Sequence, residues 1–169
     1  MWQNFPLSGR GRAGDAMDHF TPVVEITLGT VPLIATLFIH GVGMGVVQQV
    51  FEKGAIPHYR AKGHAVVYFA VMIVVMLLTH LAEIFMWSAV LVGIEAVPVF
   101  RDSFYYVAGT YTTLGYGEGT LPHAWRLLAP MIAISGLFAF GWTTGALFSL
   151  VTQASLLRAQ RAAVSPSRT

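Results

Sequence analysis

Two groups of residues in this 169-residue chain have the types and spacing to do chemistry. The first is Thr112-Thr113-Leu114-Gly115-Tyr116-Gly117. A cation that leaves water needs replacement oxygens, and stacked rings of backbone carbonyls supply them. In an ordinary strand successive carbonyls point to opposite sides. Turning a run of them toward one axis therefore needs residues that tolerate unusual backbone angles. Gly115 and Gly117 alternate with bulkier residues as that geometry asks. Thr113, Leu114, Gly115 and Tyr116 would then offer carbonyls, with the Thr113 hydroxyl adding a further ring. One chain supplies only one side of each ring.

The second group is His40, His80 and Glu83, ionisable residues set in apolar segments. Such groups are costly in a membrane and normally face protein or water. His80 and Glu83 are three residues apart, so they share a helical face and can pair. The pair reads as a structural hydrogen bond first. Histidine changes charge near neutral pH, which makes a proton-sensitive site the sharper reading. Glu83 also lies about one turn from Trp87, close enough to reach an interface instead. Two histidines on successive helices can ligate haem, and His-x-x-Glu can bind a metal in a bundle. A redox membrane protein with His40 and His80 as ligands is therefore an alternative. The depths of the two along their helices differ by several ångströms, which weighs against it.

The elements that must position these groups follow from hydropathy. Residues are 55% hydrophobic and 11% charged, and the apolar ones lie in long blocks, the pattern of a membrane protein. A net charge of +2 gives no basis for nucleic-acid binding. With no cysteine, disulfides and thiolate metal sites are excluded. Residues 1–22 are polar and carry no signal-peptide core, and Met17 is an alternative start. Residues 23–51 form a first transmembrane helix, on which Gly41 and Gly45, with Gly43 nearby, make a small-residue face. Residues 52–64 are a basic loop expected in the cytoplasm. A second helix runs from Ala65 to about Trp87, with Trp87 at the far interface and the apolar run continuing until Pro98. Asp102 is the expected N-cap of a short aromatic helix ending near Thr112. A last helix spans about His123 to Val151, with Pro130 in its first turns. Leu137, Gly141, Thr144 and Phe148 share one of its faces. Residues 153–169 form a short basic tail. Lys53, Arg60, Lys62, Arg158, Arg161 and Arg168 place the C-terminus inside and the N-terminus outside.

Thr-Thr-Leu-Gly-Tyr-Gly, preceded by a short aromatic segment and followed by Glu118 and a long apolar helix, is similar to the Thr-Val-Gly-Tyr-Gly filter of the potassium-channel pore-loop family. The resemblance in order of parts covers about Ser103 to Thr152, with Leu114 in place of the usual valine. It implies an all-α membrane protein. Each subunit would have three transmembrane helices, a re-entrant pore helix and an extended filter, with residues 65–152 as the pore domain. It also implies a homotetramer in the lipid bilayer, with K+ held at Thr113, Leu114, Gly115 and Tyr116 and no organic cofactor. Glu118 would form an acidic ring at the pore mouth. Gly136 matches the family's hinge position. With Leu137 and Thr144 it would line the cavity, and Phe148 would be an apolar constriction. Tyr105 and Tyr106 would brace the filter. The family's carboxylate behind the filter is replaced here by Gly109, leaving Glu83 as a candidate substitute. The extra first helix would pack on the periphery. A channel that moves ions down their gradient makes no covalent step and is not an enzyme. A non-selective cation pore is the alternative within this class.

Overall fold

The computed structural model describes residues 12–55, 62–115, 119 and 121–164. Helix α1 covers Arg12–Val50 and runs into a π-helical turn, Phe51–Ala55. Helix α2 covers Lys62–Gly93, α3 covers Phe100–Tyr111, and α4 covers Leu128–Val164 after a single 3-10 turn, His123–Trp125. Among the described residues there is no strand. Three segments are long and apolar enough to cross a membrane: Pro22–Lys53, Val66–Gly93 and His123–Leu157. Hydrocarbon offers the backbone no hydrogen-bond partners, so each apolar block satisfies its own amides as a helix. Pro22 and Pro32 lie inside α1 without ending it. With 12 residues, α3 rises only about 18 Å and cannot span.

The boundaries differ from expectation where local chemistry takes over. Helix α1 starts well before residue 23, and α4 continues as helix past Gln153. Helix α2 passes Trp87 and closes in a tight turn. There the amides of Ala96 and Val97 both donate to the Leu91 carbonyl, at 3.0 and 3.3 Å, and Glu95 adopts a left-handed φ of 57°. The Trp87 side chain faces the interior of the chain: it is fully buried, and its indole N–H donates to Ser135 Oγ at 3.1 Å. Asp102 is not the N-cap of α3. Val99 holds that position without a side-chain bond, and Asp102 sits in the first turn, where its charge meets the positive end of the helix.

Helix α1 packs against both α2 and α4, and α3 is held between α2 and α4. One apolar core forms where α2, α3 and α4 meet, around Trp87, Leu91, Val107, Tyr111 and Ile132. A second lies at the far end of α1, α2 and α4, around Val47, Phe51, Met72 and Met76. The small residue that lets α1 close on α2 is Gly43, where an added Cβ would stand 2.2 Å from Thr79 Oγ1. Gly41 reaches only Trp142, at 3.8 Å, and Gly45 has nothing within 4 Å. The expected Gly41 and Gly45 face is therefore not the one this chain uses to join its own helices.

Candidate functional site

Helix α3 ends in a C-cap that sets the course of the residues after it. Thr113 N–H donates to the Thr110 carbonyl at 3.0 Å, and Leu114 N–H to Gly109 at 2.9 Å. This is the Schellman arrangement, in which the residue past the cap turns left-handed and is usually glycine. Here it is Thr113, with φ 58°. A left-handed conformation costs a non-glycine residue about 1–2 kcal/mol, and strain of this kind gathers at functional sites. Gly115 N–H also donates to Gly109, at 3.1 Å, and Gly115 is left-handed at φ 56°. Leu114 between them is not, so left-handed residues alternate along this stretch. All three are exposed in the single chain. Tyr116, Gly117 and Glu118 lie outside the described residues.

On the buried side of the α3 C-terminus, five side chains from all four helices join. His40 Nδ1 on α1 lies 2.8 Å from Glu83 Oε1 on α2. The Tyr111 hydroxyl, at the last residue of α3, donates to Glu83 Oε2. Tyr111 also lies 2.9 Å from His80 Nδ1. Thr143 Oγ1 on α4 closes the loop, 3.1 Å from His80 Nε2 and 3.3 Å from His40 Nε2. His40, Glu83 and Tyr111 are fully buried, His80 nearly so, and Thr143 partly. Phe140 and Trp142 wall the loop, with ring centroids 4.5 Å from His80 and 5.2 Å from His40.

The expected His80 and Glu83 pair is present only at 3.9 Å; the direct partner of Glu83 on the histidine side is His40. Glu83 does not reach an interface. The difference in depth expected between the two histidines is absorbed by the packing of α1 on α2, which brings their rings to 5.4 Å. Thr143 Oγ1 lies within hydrogen-bond distance of both Nε2 atoms. The ligand atoms of His40, His80 and Glu83 lie within 4.8 Å of one another, a spacing that a metal ion could use. Sequence reasoning missed Tyr111 and Thr143. Tyr111 carried a signal, as an aromatic residue directly before Thr112; Thr143 carried none.

The remaining candidates divide between two faces of α4. Leu137, Gly141, Thr144 and Phe148 are all exposed, with Phe148 at 74%, so the chain leaves this face uncovered. Gly136 lies on a separate, buried face, where an added Cβ would stand 2.0 Å from the Tyr111 carbonyl oxygen. Its small size is required by that contact, independently of any hinge. Tyr105 is 57% exposed, while Tyr106 is partly buried. Glu25 on α1 accepts a hydrogen bond from Leu127 N–H at 2.8 Å, tying α1 to the N-terminal end of α4.

A family model described as an ion channel matches residues 65–153, more than half of the chain, taking in nearly all of α2, the whole of α3 and α4 as far as Gln153. No curated protein and no solved structure matches. With its three membrane-length helices, the chain is an integral membrane protein, and it belongs to the ion channel family of two-transmembrane, potassium-channel-like pores.

Proposed function

We propose that this protein is a potassium-selective channel in which four copies surround one axis and line it with the carbonyls of Thr113, Leu114, Gly115 and Tyr116. The observation that carries the reading is the alternation of left-handed Thr113 and Gly115 directly after α3, within the span matched by the family. Alternating hand turns successive carbonyls toward one side, which an ordinary strand does not do. Helix α3 would be the re-entrant pore helix, its negative end favouring a cation nearby. Glu118 would add an acidic ring outside, and Leu137, Thr144 and Phe148 would line the inner path. The gathering of Lys53, Arg60, Lys62, Arg158, Arg161 and Arg168 in the loop after α1 and the tail after the last span, which share one side, supports an external N-terminus and a cytoplasmic C-terminus. No covalent step is involved: K+ is the permeant ion, not a resident cofactor.

The test is potassium efflux from vesicles reconstituted with the purified protein. Wild-type protein is expected to carry a potassium flux that Gly115→Ala abolishes, because a Cβ at φ 56° opposes the required backbone. Flux no greater than that of empty vesicles, or a flux unchanged in Gly115→Ala, would contradict the reading. A wild-type flux carried equally by sodium would leave a non-selective pore.

A further inference from the structure

The loop of His40, Glu83, Tyr111, His80 and Thr143 is closed by five hydrogen bonds, and each needs one hydrogen. Tyr111 donates to Glu83, so the Tyr111 oxygen must accept from His80 Nδ1–H. With Glu83 ionised and both imidazoles neutral, the five side chains bring only four hydrogens: one from each histidine, one from Tyr111 and one from Thr143. One bond is then empty, and the buried ring carries a net negative charge. A fifth hydrogen fills every bond and makes the ring neutral. A sixth turns the Thr143 hydrogen out of the ring and leaves a net positive charge. Unpaired charge and unfilled polar contacts are both expensive in this setting.

We propose that the ring is a binding site for one proton, held in a neutral five-hydrogen loop that joins all four helices. Two arrangements satisfy it, and they differ in the direction of the Thr143 hydroxyl. In one, Thr143 donates to His40 and accepts from a doubly protonated His80. In the other, Thr143 donates to His80 and accepts from His40, and the fifth proton lies between His40 Nδ1 and Glu83 Oε1. The titratable groups facing the ring are its own: His40 from α1, His80 and Glu83 from α2, and Tyr111 from α3. Helix α4 has no titratable residue between Leu128 and Leu157, and Glu25 lies about 22 Å away along α1. A metal at the same place would have to break the bonds at both oxygens of Glu83 and at ring nitrogens of both histidines.

The proton number fixes how stability depends on pH. Unfolded, the two histidines have an ordinary pKa of about 6.5 and Glu83 about 4.3, so the unfolded chain carries the same five hydrogens near pH 6.5. Above that pH the unfolded chain binds one proton fewer than the ring, and stability falls as pH rises. Below it the unfolded chain binds one more, and stability falls as pH drops. Each branch shifts the unfolding equilibrium by up to about tenfold per pH unit. A four-hydrogen ring would instead give a level profile above about pH 6.5 and a two-proton fall below it.

The experiment is chemical unfolding of the full chain in detergent from pH 5 to pH 9, comparing wild type with His40→Gln/His80→Gln/Glu83→Gln. The difference between the two is expected to peak near pH 6.5 with one-proton branches on both sides. In Thr143→Val the peak should be lost, and in Thr143→Ser retained. A difference profile level above pH 6.5, or one that rises steadily in either direction, overturns the proposal. A stoichiometric transition metal in protein purified without added metal overturns it as well. If the triple variant does not fold, vibrational and nitrogen-15 spectra of wild type at pH 8 replace it. They should show either one histidine cation or a protonated Glu83, and two neutral histidines beside an ionised Glu83 would be the contrary result. Because Tyr111 directly precedes Thr112, potassium flux should weaken on both sides of the same optimum. That last step rests on the channel reading, and absence of flux at every pH would remove it while leaving the unfolding profile to judge the ring.

Discussion

Gly136 has no room for a methyl group. The Tyr111 carbonyl occupies the place, 2.0 Å from where a Cβ would be, and it is backbone at the end of α3 rather than a side chain able to swing aside. Gly136→Ala is therefore expected to cost at least the 1–3 kcal/mol typical of overpacking, read from unfolding midpoints in detergent. Gly45→Ala is the control, since nothing lies within 4 Å of that position. It should be neutral or gain up to about 1 kcal/mol from helix propensity. Equal effects at the two sites would contradict the packing described. Legibility at this scale was uneven. Gly115 could be read from its place in a glycine-alternating run, and the structure finds it left-handed. Gly136 could be singled out, but its neighbour could not, because nothing in a sequence says which carbonyl a helical glycine will meet. The same holds for His40: its cost in an apolar helix was visible, while its partner Glu83 lies 43 residues away.

Between elements, the interest lies in α1. A helix beyond the two that a minimal pore subunit needs, it contributes three fixed points within the chain. Gly43 closes on Thr79 of α2, His40 completes the polar ring, and Glu25 accepts from the amide next to the start of α4. That carboxylate satisfies an amide at the electropositive end of a helix, as an N-cap does. Glu25→Ala should cost about 0.5–2 kcal/mol, the range of lost caps, and Glu25→Gln less because an acceptor oxygen remains. No change in the unfolding midpoint with either variant would show that the contact contributes nothing. The existence of α1 was plain from its apolar length. Its packing face was not, because a helix surrounded by lipid is apolar all round and loses the periodicity that marks a buried side. Glycine spacing was the remaining clue, and it put Gly41 and Gly45 first, with Gly43 only as a nearby third.

At the scale of the whole molecule, the single chain leaves the face of α4 bearing Leu137, Gly141, Thr144 and Phe148 uncovered, and Thr112 to Gly115 exposed as well. A carbonyl filter contributed by one loop per chain encloses an ion only when copies are arranged around an axis. Native mass spectrometry of the detergent-solubilised protein is expected to give four chains of 18.4 kDa each. A stable monomer or dimer as the main species would leave the filter open on one side. The three spans were readable from sequence, because hydropathy is a local property, and the left-handed Gly115 falls in the glycine-alternating run that called for unusual backbone angles. The ring and the close approaches depend on how the helices meet, which local pattern does not encode.

The most direct measurement is the reversal potential of the reconstituted protein with potassium on one side of a bilayer and sodium on the other. Each tenfold preference in permeability displaces that potential by about 59 mV. Carbonyls spaced to replace the water of potassium are expected to displace it by more than one such step, in the direction set by potassium. A reversal potential near zero would mean that sodium passes as readily, and the proposed selectivity would be wrong.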